Sequence, residues 1–236
     1  MSDADITPSP RQRTIRSFVV RAGRMTTGQQ KAMTDHWPRL GVAFDTQPLD
    51  LDALFGRQAR RVLEIGFGNG DHLARLAAMQ PETDFLGIEV HPPGVGHLLQ
   101  VVAQAGLTNV RVSCHDAIEV LTEQLTPASL DEVWLLFPDP WHKKRHNKRR
   151  IVQDAFLDLV ARRLKPGGVL RMATDWVPYA QHMLECLQRS PWFDNLSPTG
   201  DWMPRDALRD RTRFERRGER LGHDVRDLAA RRRAGR

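Results

Sequence analysis

Between residues 60 and 189, short apolar runs of strand length alternate with amphipathic stretches of helix length. Apolar runs bounded by turn residues read as buried strands, and apolar residues recurring every three or four positions read as helices with one buried face. The pattern predicts strands at 61–66, 85–90, 110–115, 133–137 and 169–174. Helices are predicted at 71–79, 94–105, 116–125, 151–164 and 178–189. In the fourth of these, Ile151, Val152, Ala155, Phe156, Leu159 and Val160 recur at helical spacing, and Lys165-Pro166-Gly167-Gly168 stops it. Strands alternating with helices predict βαβ units, hence an α/β fold with a mainly parallel central sheet and helices on both faces. Beyond 189 the chain is more polar, and the alternation over 211–219 predicts one antiparallel edge strand.

A chain of 236 residues suits one sizeable core better than two. Residues 1–14 are rich in Asp, Pro, Ser and Thr and are expected to form a disordered tail. Residues 15–55 include a basic stretch (Arg16, Arg21, Arg24, Lys31, Arg39) with too few large apolar side chains for a core of its own. That segment is expected to pack on the main domain, 56–236. The N-terminus has no signal-peptide core and no run approaches the length of a membrane span, so a soluble cytoplasmic protein is expected. Its two cysteines, Cys114 and Cys186, are too few for a disulfide framework and fit a reducing compartment.

The first predicted strand runs into Leu63-Glu64-Ile65-Gly66-Phe67-Gly68-Asn69-Gly70, which opens the first helix. Gly66, Gly68 and Gly70 let the backbone turn sharply and approach a ligand. Their G-x-G-x-G spacing is not the G-x-G-x-x-G of a pyrophosphate-binding turn. Glu64 just before them would repel a phosphate and favour a cation, which suits the sulfonium and ammonium of S-adenosylmethionine. Glu89 ends the second strand, where a carboxylate can accept both ribose hydroxyls. Asp116 ends the third, where it can meet an adenine amino group, although a helix N-cap accounts for it equally well. Three acids at the ends of three successive strands fall on the sheet edge where open α/β folds bind ligands.

The fourth strand ends in Phe137-Pro138-Asp139-Pro140-Trp141, followed by nine positions holding six Lys/Arg and two His. Two prolines fix the backbone around Asp139, and packed cations are tolerable mainly beside a polyanion. The excess charge is mostly Arg, and the net charge is +6. A site acting on nucleic acid is one reading and a solvated basic loop is the other.

On these residues the chain resembles the bacterial tRNA (guanine-7-)-methyltransferases. The match runs from about Ile15 to Leu228 and takes in Ile15-Arg16-Ser17-Phe18-Val19, Gly23-Arg24, the glycine loop and Gly87-Ile88-Glu89. It continues through 137–150, Ala173-Thr174-Asp175-Trp176, Thr212-Arg213-Phe214-Glu215 and Arg217-Gly218. The glycine loop specifies only the wider superfamily, whereas 137–150 and Thr212–Glu215 are far more specific. The resemblance implies a Rossmann-like class I methyltransferase fold and S-adenosylmethionine held by Glu64, Gly66, Gly68, Gly70, Glu89 and Asp116. It makes Asp139 the site carboxylate, next to donor as well as substrate. It implies substrate contacts at Lys143, Asp175, Thr212, Arg213, Phe214 and Glu215. Its RNA-contacting stretch is Arg145, His146, Asn147, Lys148, Arg149 and Arg150. The implied partner is tRNA, modified at guanine 46 of the variable loop, with no metal and no membrane. A monomer is expected, with a homodimer as the alternative. The chain departs from the family at Asp210-Arg211, where many members have Arg-Pro, and Arg213 replaces the commoner Lys.

Two other classes stay open at this point. Phe-Pro-Asp-Pro-Trp loosely resembles the Asn/Asp-Pro-Pro-aromatic signature of exocyclic-amine methyltransferases on DNA or rRNA, but here the acid lies between the prolines. The other class is an RNA-binding module that has lost the chemistry. Asp175 also reads as an N-cap of the last helix, Glu215 as a surface ion pair, and Trp141 and Trp176 as core aromatics.

Overall fold

The computed structural model describes residues 16–18, 23–205 and 224–235. Helix α1 (Thr27–Leu40) opens with a capping box in which Thr26 and Gln29 satisfy each other's backbone. It is followed by the short strand β1 (Gly41–Val42) and helix α2 (Leu51–Phe55). Then come β2 (Arg60–Ile65), α3 (Asp71–Met79), β3 (Thr83–Ile88), α4 (Pro92–Gln104) and β4 (Val110–Ser113). Helix α5 (Ala117–Glu119) passes into a π turn (Val120–Gln124). The chain continues through β5 (Leu130–Leu136), a 3₁₀ turn (Lys144–Arg149), α6 (Asp154–Arg163) and β6 (Leu164–Thr174). It closes with α7 (Val177–Arg189), β7 (Phe193–Asn195) and β8 (Arg226–Arg232).

These strands form one sheet in the order β1-β4-β3-β2-β5-β6-β8-β7, parallel from β1 to β6. Side-chain alternation divides the core between the two faces. Leu63, Ile65, Val133, Leu135, Leu170 and Met172 join the layer made with α6 and α7. Val62, Phe85, Val110, Val112 and Trp134 join the layer made with α1, α3 and α4. Helix α1 lies against α4 closely enough that a Cβ on Gly96 would come within 2.9 Å of Gln29. The strand order reverses between β3-β2 and β5-β6, which leaves a crevice at the carboxyl ends of β2 and β5.

Four details differ from the sequence pattern. The predicted edge strand at 211–219 lies outside the described residues; the antiparallel strands found are β8, inserted between β6 and β7, and β7 at the edge. Helix α6 ends at Arg163, just before Lys165-Pro166-Gly167-Gly168 as expected, but that stretch also forms a bulge inside β6, where the register with β5 jumps between Leu130 and Glu132. Helix α6 starts at Asp154 because α7 captures the preceding backbone: Val152 N–H donates to the Tyr179 hydroxyl (3.2 Å), and His182 Nε2 donates to Val152 O (2.8 Å). The helix expected over 116–125 is split by its π turn. Among the described residues no helix is long and apolar enough to cross a membrane.

Candidate active site

A cavity of about 790 Å³ opens where the strand order reverses. Gly66, Gly68, Glu89 and Asp116 line one side and residues 137–143 the other, so the two sequence motifs share one space. Ser17 and Phe18 line it as well.

On the glycine side, Gly66 and Gly68 have φ of +71° and +62°, left-handed values that burden any residue with a Cβ. A Cβ built on either meets nothing within 4 Å, so both positions keep the cavity open. Gly70 plays a different part: it lies outside the cavity lining, and its Cβ would run into Leu98 at 2.7 Å. Helix α4 comes so close that a Cβ on Gly94 would meet the Gly68 carbonyl oxygen at 2.1 Å. The Glu89 carboxylate is fixed by three backbone donors: Gly68 N–H to Oε2 (2.9 Å), and Val90 (2.7 Å) and His91 (3.0 Å) to Oε1. Asp116 caps α5 through Ile118 N–H (2.9 Å) and also lines the cavity. Burial, with Glu119 nearby, raises its carboxyl above the ordinary value against the opposing pull of the Ile118 bond.

The opposite wall is strained. Phe137 and Trp141 hold φ of +51° and +46°, bracketing Pro138-Asp139-Pro140 between two left-handed aromatics. Such backbone costs about 1–3 kcal/mol per residue and persists only where its surroundings over-determine it. Phe137 is tied to β6 by its N–H to Ala173 O (2.8 Å). At the other end, Arg150 Nε donates to Pro140 O (2.9 Å). Asp139 is thereby carried into the cavity between two anchored ends.

A putative-methyltransferase family model matches residues 58–228 of this chain. The tRNA (guanine-N(7)-)-methyltransferase of Cronobacter sakazakii is 57% identical to it over 92% of this chain and 90% of its own length. That of Sodalis glossinidius gives the same values. The chain belongs to the tRNA (guanine-N(7)-)-methyltransferase family. Among solved structures, the 16S rRNA methyltransferase KamB aligns with a TM-score of 0.56 at 17% identity, covering 80% of this chain and 95% of that one. The [4+2]-cyclase SpnF aligns with 0.53 at 18%, covering 92% and 100%. At such identities the likeness is one of Rossmann-like fold alone, and a cyclase among the neighbours illustrates that fold does not fix chemistry.

Within this methyltransferase the expected site residues fall into groups. Glu64 shares its face of β2 with Val62; it is 3% exposed, bonds His72 Nδ1 through Oε2 (3.0 Å) and is not part of the cavity lining. The 145–150 run is not the uniform cationic strip that composition suggested. Lys143, Lys144, Arg145 and Lys148 are exposed. Arg150 is 5% exposed, bonds Pro140 O and Pro178 O, and lies over the Tyr179 ring at 4.8 Å. Arg149 donates to Arg16 O and Phe18 O and stacks on Trp141 at 3.8 Å. His146 reaches the cavity edge-on to Trp141, its pKa lowered by desolvation and then by Arg145, Arg149, Lys143 and Lys148. The Asn147 carbonyl accepts from Arg150 N–H (3.0 Å).

Asp175 follows β6 half-buried and outside the cavity lining, and the residue at the N-cap of α7 is Trp176. Trp176 packs on the core and meets His142 edge-on at 4.3 Å. Thr212, Arg213, Phe214 and Glu215 lie outside the described residues. Ser17, Phe18, His91, His115 and His142 line the cavity without having been singled out as site residues. Ser17 and Phe18 lay in the family-like segment near the N-terminus and His142 inside the motif, whereas His91 and His115 carried no such signal.

Proposed function

We infer that this protein transfers a methyl group from S-adenosylmethionine to the position-7 nitrogen of a guanine in tRNA. The observation that carries the reading is the single cavity joining the glycine loop, Glu89 and Asp116 to Asp139, in a chain 57% identical to tRNA (guanine-N(7)-)-methyltransferases. The residues fit the donor. Gly66 and Gly68 leave space over the loop, and Glu89, aimed by its three backbone donors, accepts the ribose hydroxyls. Asp116 accepts from the adenine amino group. Bound S-adenosylmethionine supplies an electrophilic methyl group on a sulfonium centre.

Guanine N7 carries an in-plane lone pair and no proton, so no general base is needed and catalysis rests on alignment. Asp139 accepts from the guanine ring and amino N–H groups and stabilises the positive charge that develops on the base. Lys144, Arg145 and Lys148 contact phosphates from the outer face of the loop, and Lys143 does so from the cavity wall. The family likeness points to guanine 46 of the variable loop as the target. Two free cysteines fit a cytoplasmic setting.

Nucleoside analysis of unmodified tRNA after incubation with labelled donor tests the reading. Label in 7-methylguanosine is the expected result. Label on an exocyclic amine, or no label in tRNA at all, would replace it with one of the two alternatives, which parallel incubations with rRNA and DNA then separate.

A further inference from the structure

We propose that Arg149 and Trp141 are positioning residues that latch residues 16–18 over the donor cavity and so govern how long the donor stays bound. Ser17 and Phe18 line the same cavity as Gly66, Gly68 and Glu89. Three consecutive carbonyls of that strap are held by two side chains of one loop. Arg149 Nε donates to Arg16 O (3.1 Å), Trp141 Nε1 to Ser17 O (2.9 Å) and Arg149 Nη2 to Phe18 O (3.3 Å). The guanidinium lies 3.8 Å from the Trp141 ring centre, which fixes its plane, and the Arg16 guanidinium lies over the Phe18 ring at 5.8 Å.

This arrangement uses what distinguishes Arg from Lys: a planar fork that spans two acceptors while stacking on an aromatic face. A phosphate contact at Arg149 would have to displace bonds already made to the strap. The strained backbone at Trp141 gains a purpose as well, because it presents the indole N–H to Ser17 O. The loop therefore has two sides. Its cations Lys144, Arg145 and Lys148 are exposed and outside the cavity lining, while Trp141 lines the cavity and Arg149, stacked on it, holds the strap from behind.

The inference rests on the donor reading of the cavity, and the test separates the two. Release of S-adenosylmethionine is followed by stopped flow in the full-length protein, without RNA, for wild type, Arg149→Lys, Arg149→Ala, Trp141→Phe and Phe18→Ala. Arg149→Lys, Arg149→Ala and Trp141→Phe should each speed release by about tenfold, the scale of losing a hydrogen bond to a charged or buried donor. Phe18→Ala keeps the carbonyl but removes the ring from the cavity wall, and should also speed release. Arg149→Lys should fail to rescue, since it keeps the charge and loses the fork. Arg149→Lys combined with Phe18→Ala should release no faster than the faster single variant, because both act through one strap. In tRNA binding, the salt slope of Arg149→Ala should match wild type. Release within about twofold of wild type in Arg149→Lys and Trp141→Phe, rate factors that multiply in the double variant, or a salt slope lower by roughly one unit in Arg149→Ala would overturn the latch. Should Arg149→Ala fail to fold, the Lys and Phe variants decide it. A wild-type protein that binds no donor would instead overturn the proposed function.

Discussion

Lys148 and Arg150 stand two positions apart in one basic run, yet they face opposite ways. Lys148 projects into solvent, whereas Arg150 is buried and bonds two carbonyls of the site loop and α7. Replacing Arg150 by Ala strands Pro140 O and Pro178 O and leaves a void, and should cost about 2–3 kcal/mol of stability by urea unfolding. The salt slope of tRNA binding should not change. Lys148→Ala should do the reverse, leaving stability within about 0.5 kcal/mol and flattening the slope by roughly one unit. Composition alone gave all six cations one role because it records charge and not the direction of side chains leaving a 3₁₀ turn. Glu64 is the opposite case. Its inward orientation was legible from the period of two, since it shares a face with buried Val62.

At the scale of elements, Asp116 caps α5 and lines the cavity with one side chain. Its carboxyl is raised by burial, so the folded state holds the proton more tightly than the unfolded chain. The stability this contributes is present below the ordinary carboxyl value of 3.8 and is lost as pH rises through the folded value. At neutral pH the ionised group is therefore a cost to the fold. Asp116→Asn keeps an oxygen for the Ile118 N–H. It should be at least as stable as wild type at pH 7 and lose its advantage toward pH 4, as read from thermal unfolding at the two pH values. Donor affinity should still fall by about 1–3 kcal/mol in calorimetry, because the Asn amide cannot accept at both positions and leaves a buried donor unpaired. A less stable Asp116→Asn at pH 7 would return the residue to a pure capping role.

Across the whole molecule, the alternation of apolar runs exposed five of the six parallel strands among the described residues, and β2 and β5 end where the strand order demands a ligand crevice. Glu89, Asp116 and Asp139 could be placed on that edge from the sequence because a strand end fixes where the next side chain emerges. The roof could not. Residues 16–18 have no periodicity of their own, and they reach the cavity through backbone carbonyls, which no residue type announces. Nor did the sequence reveal that two aromatics would take left-handed backbone, since Phe and Trp are among the residues least suited to it. That strain lies where Asp139 enters the cavity that Glu89 and Asp116 also line. The account therefore stands on Asp139. The decisive measurement is the single-turnover rate of methyl transfer to tRNA, at saturating donor and tRNA, for wild type and Asp139→Asn. If the carboxylate stabilises charge that develops only on the reacting guanine, the variant should be slower by about two to three powers of ten, while the wild-type rate shows no rise through neutral pH. A folded variant within about threefold of wild type would contradict the account and leave Asp139 as scaffolding.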